Sequence, residues 1–262
     1  MKGMGSFLNA AYWTATKEVR IMKLVSTGRT DKGRKRSNNQ DSIFVSDTPV
    51  GPLPNLYIVA DGMGGHAAGD FASRYAISVV IDFIRQSTVR SPISLLRRAL
   101  VYASNELYKE SEKDKDKMGM GTTMVCAVIL EDKLYVANIG DSRLYIVNDD
   151  IRQITMDHSL VEELIRSGQL ERNKGRNHPE KNIITRAMGS RDEAMPDFFE
   201  LPISVGDKIL ICSDGLSNMV EDDEIKDIVQ DNPVLDDAVS SLISRANYYG
   251  GNDNISVVIV SV

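Results

Sequence analysis

Four aspartates occupy one kind of setting: Asp61, Asp141, Asp214 and Asp253 each fall at the mouth of an apolar, strand-like run with glycine close by. Asp61 leads into Gly62-Met63-Gly64-Gly65, Asp141 follows Ile139-Gly140, Asp214 precedes Gly215, and Asp253 follows Gly250-Gly251. A carboxylate at a strand mouth, with bare backbone next to it, suits a hard cation, which takes oxygen from carboxylates, carbonyls and water. Carboxylates gathered in one place repel unless cations or protons compensate. Strand ends of this kind, brought together, therefore predict a two-metal hydrolytic centre holding Mg²⁺ or Mn²⁺. Asp41 lies at a further strand mouth, a few residues from Arg36, whose planar fork can hold two oxygens of a phosphate. The residue types speak against zinc. His66, His158 and His178 are scattered without ligand spacing and read as incidental, with His66 the one to check.

The elements that must position these groups follow from periodicity. Leu56–Ala60 and Ser42–Val45 read as strands, and the helix after Gly69 places Phe71, Tyr75, Val79 and Phe83 on one face. Ser91-Pro92 opens a second helix with Leu95, Leu96, Ala99, Leu100, Ala103 and Leu107 as its apolar face. Strands are expected at Thr122–Leu130, Lys133–Ile139, Arg143–Val147 and Arg152–Thr155, joined by polar turns as an antiparallel meander. Ser159-Leu160-Val161-Glu162 is a capping box for a helix through Ser167. The basic stretch Gly168–Arg186 then reads as a long loop of the kind that is often functional, its charge suited either to an anionic substrate or, equally, to a solvated surface. Strand Ile209–Cys212, helices at Asp222–Gln230 and Val234–Tyr248, and strand Ile255–Val260 complete the chain.

Two phosphate-binding patterns fail on context. Gly62-x-Gly64-x-x-Ala67 matches a dinucleotide fingerprint, but Asp61 would set negative charge where a pyrophosphate sits, and another helix follows instead of a parallel strand. Gly28 to Gly33 with Arg34 and Lys35 lacks the Gly-Lys-Ser/Thr order of a P-loop, and the basic run reads as a solvated face. The 262 residues, with 42% hydrophobic and 26% charged content, suit one large globular domain. A net charge of −6 argues against nucleic acid as partner. No apolar run is long enough to span a membrane. The two cysteines, Cys126 and Cys212, lie in apolar runs and read as buried hydrophobes of a reducing, cytoplasmic protein.

Taken in order, Arg36-x-x-Asn39-Gln40-Asp41, Val59-Ala60-Asp61-Gly62-Met63-Gly64-Gly65-His66, Gly121-Thr122-Thr123, Ile139-Gly140-Asp141-Ser142-Arg143, Ser213-Asp214-Gly215 and Gly251-Asn252-Asp253-Asn254 form one series. From about Lys23 to Val262 the chain resembles the type-2C, metal-dependent Ser/Thr protein phosphatases in their compact bacterial form. The resemblance implies an α+β fold of two antiparallel β-sheets packed as a sandwich and flanked by pairs of helices, with metals in a channel at one end. It implies one domain at 22–262 with a flap at about 168–186, while residues 1–21, which fit no periodic pattern, read as a flexible extension or an over-long start. It also implies that Asp61 bridges two ions with the Gly62 carbonyl on one of them, that Asp214 and Asp253 hold the other, and that Asp41 acts through water. Asp141 with Asp214 matches a third, weaker site of bacterial members, and Arg36 would grip the phosphate. Catalysis would rest on Arg36, Asp61 and Asp214, and the partners would be phosphorylated proteins and a cognate Ser/Thr kinase, met by a monomer.

Two positions depart from the family pattern. Met63 stands where some members have histidine, leaving the proton donor open between a water at the third site and His66. Gln40 stands where glutamate is usual, bringing no charge and implying weaker affinity at that ion. Of the rival classes, a non-catalytic phosphoprotein-binding relative would be marked by loss of the acids, which are all retained, and a nuclease would need a basic groove.

Overall fold

The computed structural model describes residues 23–65, 68–190 and 195–262; the extension at 1–21 and His66 lie outside them. Among the described residues, eleven strands form two antiparallel sheets. One sheet contains β1 (Val25–Asp31), β7 (Arg143–Val147), β8 (Ile151–Gln153), β10 (Lys208–Cys212) and β11 (Ile255–Ser261), in the order β1-β11-β10-β7-β8. The other contains β2 (Asp41–Ser46), β3 (Leu56–Met63), β5 (Met124–Leu130), β6 (Lys133–Ile139) and β9 (Asp197–Pro202), in the order β2-β3-β5-β6-β9, with β4 (Gly121–Thr122) paired to the end of β3.

The central strands are apolar at nearly every position because both of their faces are covered. On β3, Tyr57 and Val59 point into the layer between the sheets, where they meet Leu144, Ile146, Ile211 and Val258. Leu56, Ile58 and Ala60 point the other way, into a layer with α1 (Ala68–Gln86) and α2 (Pro92–Lys113). The opposite sheet repeats the plan: Ile255, Val257 and Ile259 pack under α5 (Asp214–Ser217), α6 (Asp222–Asp231) and α7 (Leu235–Tyr248). This is the expected sandwich of sheets between helices.

The structure refines or corrects several local expectations. The deeply buried face of α1 is Ala72, Ala76, Val80 and Ile84. Phe71, Tyr75, Val79 and Phe83 form its half-buried flank, where Phe83 meets Tyr102 of α2 at 5.2 Å between ring centroids. Small residues let the helix sit close to the sheet, and the rings fill the wider gap at the side. The meander is also two hairpins in two sheets: β5 pairs β6 in one, β7 pairs β8 in the other, and the chain crosses the sandwich at Gly140-Asp141-Ser142. The last of these strands is Ile151–Gln153, not Arg152–Thr155. Strands β1 and β9, absent from the sequence reading, are the outer strands of their sheets. The segment after α3 (Leu160–Arg166) includes the short helix α4 (Arg172–Gly175), and Ser159 caps α3 by accepting from Glu162 N at 3.3 Å, as the capping box predicts.

Candidate metal centre

Strand parity carries the acids into the space between the sheets. Asp61 continues the inward series of Tyr57 and Val59, and Asp41 lies directly opposite it in the β2–β3 register. Like charges facing each other across two strands are destabilising. The backbone around them is fixed all the same. Thr123 N and Thr122 Oγ1 donate to Asp61 O at 2.8 and 2.9 Å, and Asp61 N donates to Thr123 Oγ1 at 3.0 Å. Gly62 must be glycine: a Cβ there would lie 1.9 Å from Gly69 O and 2.7 Å from Gln40 O. Gln40 turns its amide to Gly64 O at 3.4 Å, bracing the glycine turn.

The second sheet delivers its acids to the same place. Ser213, just before Asp214, donates from Oγ to Asp41 Oδ2 at 2.7 Å and accepts from Ser256 N at 2.9 Å, linking the sheets. Asp253 accepts from Arg36 Nη2 at 2.7 Å through Oδ2 and from Asn254 N at 2.8 Å through Oδ1. Asp141 lies at the sheet-to-sheet crossing, where Ser142 Oγ is 2.8 Å from Thr123 Oγ1. Arg36, Asp61, Gly62, Asp141, Asp214 and Asp253 all line one channel of about 270 Å³, which Met63, Asn182 and Ile184 also border. Asp41 sits buried behind it. The candidate ligands and Arg36 are therefore brought together.

The electrostatics are those of acids that lack a counter-charge. Burial, then the repulsion of Asp214 and Asp253, pushes Asp41 up to about 7. Burial, then Asp253, pushes Asp214 up to about 6. Asp61 and Asp141 are held well above the usual carboxylate range by burial first and by neighbouring acids second. Asp41 Oδ1 and Asp214 Oδ1 are buried and have no hydrogen-bond partner. Buried polar atoms are almost always satisfied, so these two oxygens fit a cation. The donor set is oxygen, which suits Mg²⁺ or Mn²⁺. Among the described residues no three acids close on one point as a finished cage. The open arrangement leaves room for the water ligands such ions retain.

Reading the sequence missed the residues that hold this geometry. His158 is no incidental histidine. Its Nδ1 accepts from Gly140 N at 3.1 Å and its own N–H donates to Gly140 O at 2.9 Å, fixing the turn that presents Asp141. That acceptor role places the ring proton on Nε2, which faces Asp197 Oδ2 at 3.1 Å. Asn254 donates from Nδ2 to Lys32 O and Asn38 O, both at 2.9 Å, and stabilises the loop bearing Arg36. Neither residue carries a formal charge and both act on backbone, so the motif containing Asn254 gave no sign of its role and nothing in the sequence pointed to His158. In the basic loop Arg172, Lys174, Arg176 and Arg186 are paired with Glu162, Glu171, Glu221 and Asp197, which offsets part of its positive charge.

Comparison with known proteins agrees with this architecture. The family model for protein phosphatase 2C matches residues 30–255. The serine/threonine phosphatase stp of Listeria innocua is 40% identical over 237 residues, covering 88% of this chain and 93% of that protein. The solved serine/threonine phosphatase of S. agalactiae superposes with a TM-score of 0.85 at 35% identity, covering 92% of this chain and all of that one. The catalytic domain of PstP, solved with 2 manganese ions, gives a TM-score of 0.79 at 31% identity, covering 91% of this chain and 97% of that one. The chain belongs to the protein phosphatase 2C family. It is a protein serine/threonine phosphatase.

Proposed function

We propose that the chain removes phosphate from phosphoserine and phosphothreonine in proteins with the help of two divalent ions, Mn²⁺ or Mg²⁺, held in the channel. The observation that carries this is the pair of buried, unpartnered oxygens on Asp41 and Asp214 within one carboxylate cluster. Asp61 and the Gly62 carbonyl would hold one ion. Asp214 and Asp253 would hold the other, and Asp141 with Asp214 would offer a third, weaker place. Asp41, tied through Oδ2 to Ser213, keeps Oδ1 to orient water. When bound, such ions supply a nucleophilic hydroxide near neutral pH and offset charge on the phosphoryl oxygens.

The protein's own groups do the positioning. Arg36 presents donors at the channel, its guanidinium steadied by Asp253, and can take two equatorial phosphate oxygens. Both cysteines are fully buried, with thiols pushed far up by burial, so they do not serve as nucleophiles. Met63 borders the channel and cannot donate a proton. The segment 168–186 forms the flap, and Asn182 and Ile184 bring it to the channel wall. The substrates are phosphoproteins made by a cognate Ser/Thr kinase, and the enzyme acts as a cytoplasmic monomer with its domain at 22–262. Retention of Arg36, Asp61, Asp214 and Asp253 disfavours a non-catalytic binding module. Calorimetric titration of Mn²⁺ tests the ligand set: Asp214→Asn should lose a binding event that the wild type shows, and an unchanged isotherm would refute it.

No helix among the described residues is long and apolar enough to cross a membrane.

A further inference from the structure

The loop between β1 and β2 carries Lys32, Arg34, Lys35 and Arg36, and the site uses only the last of them. Lys32, Arg34 and Lys35 are exposed, and among the described residues none has an ion pair or a side-chain hydrogen bond. This is notable in a chain with 37 acids against 31 Lys and Arg, and it contrasts with the flap, whose arginines are paired. The loop is also rigidly built. Arg34 N and Lys35 N donate to Gly251 O at 2.8 and 3.1 Å, and Asn254 grips Lys32 O and Asn38 O. Gly33 adopts φ +76, where a Cβ would lie 2.1 Å from Asp253 O. The Arg34 stem crosses Gly251, since a Cβ there would meet its Cγ at 2.9 Å. These cations therefore sit on the Gly250–Asn254 segment that also presents Asp253 to the channel.

We infer that this loop is a docking rim for carboxylate side chains of the substrate protein that flank the phosphorylated residue. The inference rests on the phosphatase reading and adds a substrate preference to it. Arg34 and Lys35 stand one or two residues from Arg36, and an extended chain spans about 3.3–3.6 Å per residue. The acids they meet thus lie within about three residues of the phosphorylated position. A pre-formed cationic surface meets acids without the entropy of ordering a loop.

The test compares two phosphothreonine peptides of equal length, one flanked by Glu and one by Gln, with p-nitrophenyl phosphate as a small substrate. The wild type should turn over the Glu-flanked peptide with kcat/KM higher by about fivefold at low salt, an advantage that fades at about 0.5 M salt. The double variant Arg34→Ala/Lys35→Ala should lose that preference and keep its turnover of p-nitrophenyl phosphate. Charge reversal, Arg34→Glu/Lys35→Glu, should disfavour the Glu-flanked peptide. Equal kcat/KM for both peptides in the wild type, or a preference that survives in the alanine variant, would overturn the rim. Absence of metal-dependent p-nitrophenyl phosphate turnover in the wild type would sink the phosphatase reading, and the rim with it.

Discussion

Asp41 and Asp61 face each other across the β2–β3 pair, on the inward side of the sheet and at the open end of the sandwich. The arrangement opposes folding in the absence of cations, and it is braced from both sheets by Ser213, Thr122 and Thr123. In the proposed reading, a bound cation offsets this cost.

The pH dependence of the metal-free protein follows from that cluster. Asp214, at about 6 in the folded chain against an ordinary 3.8, binds its proton more tightly folded than unfolded. Its contribution is therefore intact below about pH 4 and is lost as pH rises through about 6, with Asp41 extending the loss to about 7. Asp214→Asn should raise the Tm of chelator-treated protein at pH 8, on the order of 5 °C, and change it little at pH 4. Melting curves of both proteins across that range are the check. A variant less stable than wild type at pH 8 would contradict the repulsion.

Metal binding should reverse the same strain. Adding Mn²⁺ at pH 7.5 should raise the Tm of the wild type by more than that of Asp214→Asn, because an ion that binds only the folded chain stabilises it by mass action. Equal gains in both proteins would remove Asp214 from the ligand set.

Arg36 bonds Asp253 at 2.7 Å, so it is held at the channel before substrate arrives. Arg36→Ala should lower kcat/KM for a phosphopeptide by about 100-fold, as expected for losing a charge-assisted contact of 2–3 kcal/mol. Mn²⁺ affinity should be unchanged or tighter, since the guanidinium no longer occupies Asp253 Oδ2. Steady-state kinetics and metal titration measure the two separately. Full activity in the variant would rule out the phosphate role.

His158→Ala leaves the Gly140 N–H buried without an acceptor, at a cost of about 1–3 kcal/mol. The turn presenting Asp141 should loosen, so the variant should melt several degrees lower and need more Mn²⁺ for half-maximal activity. His158→Asn, which offers an oxygen acceptor, should recover part of both. Wild-type behaviour of the alanine variant in both assays would refute the positioning role.

Much of this site was legible in the sequence because metal chemistry leaves charged residues at strand ends, where apolar runs stop abruptly. Asp61 and Asp214 stand out for that reason, each with glycine next to it, and Asp253 stands out as an acid just ahead of the last strand, two residues after Gly251. Strands β1 and β9 were not legible because outer strands are only partly covered: Val25–Asp31 is mostly polar and Asp197–Pro202 half-buried. The Gly140-Asp141 turn looked like a hairpin because periodicity reports burial and not which sheet a strand joins. His158 and Asn254 act on backbone atoms brought near only by the fold, so no local pattern could show their part.

The most direct measurement is phosphate release from a phosphothreonine peptide, with and without Mn²⁺, for wild type and Asp61→Asn side by side. Turnover by the wild type that requires the ion, and its loss in a folded Asp61→Asn protein, is the predicted result. Turnover that ignores Mn²⁺, or that survives in the variant, would contradict a metal centre built on Asp61.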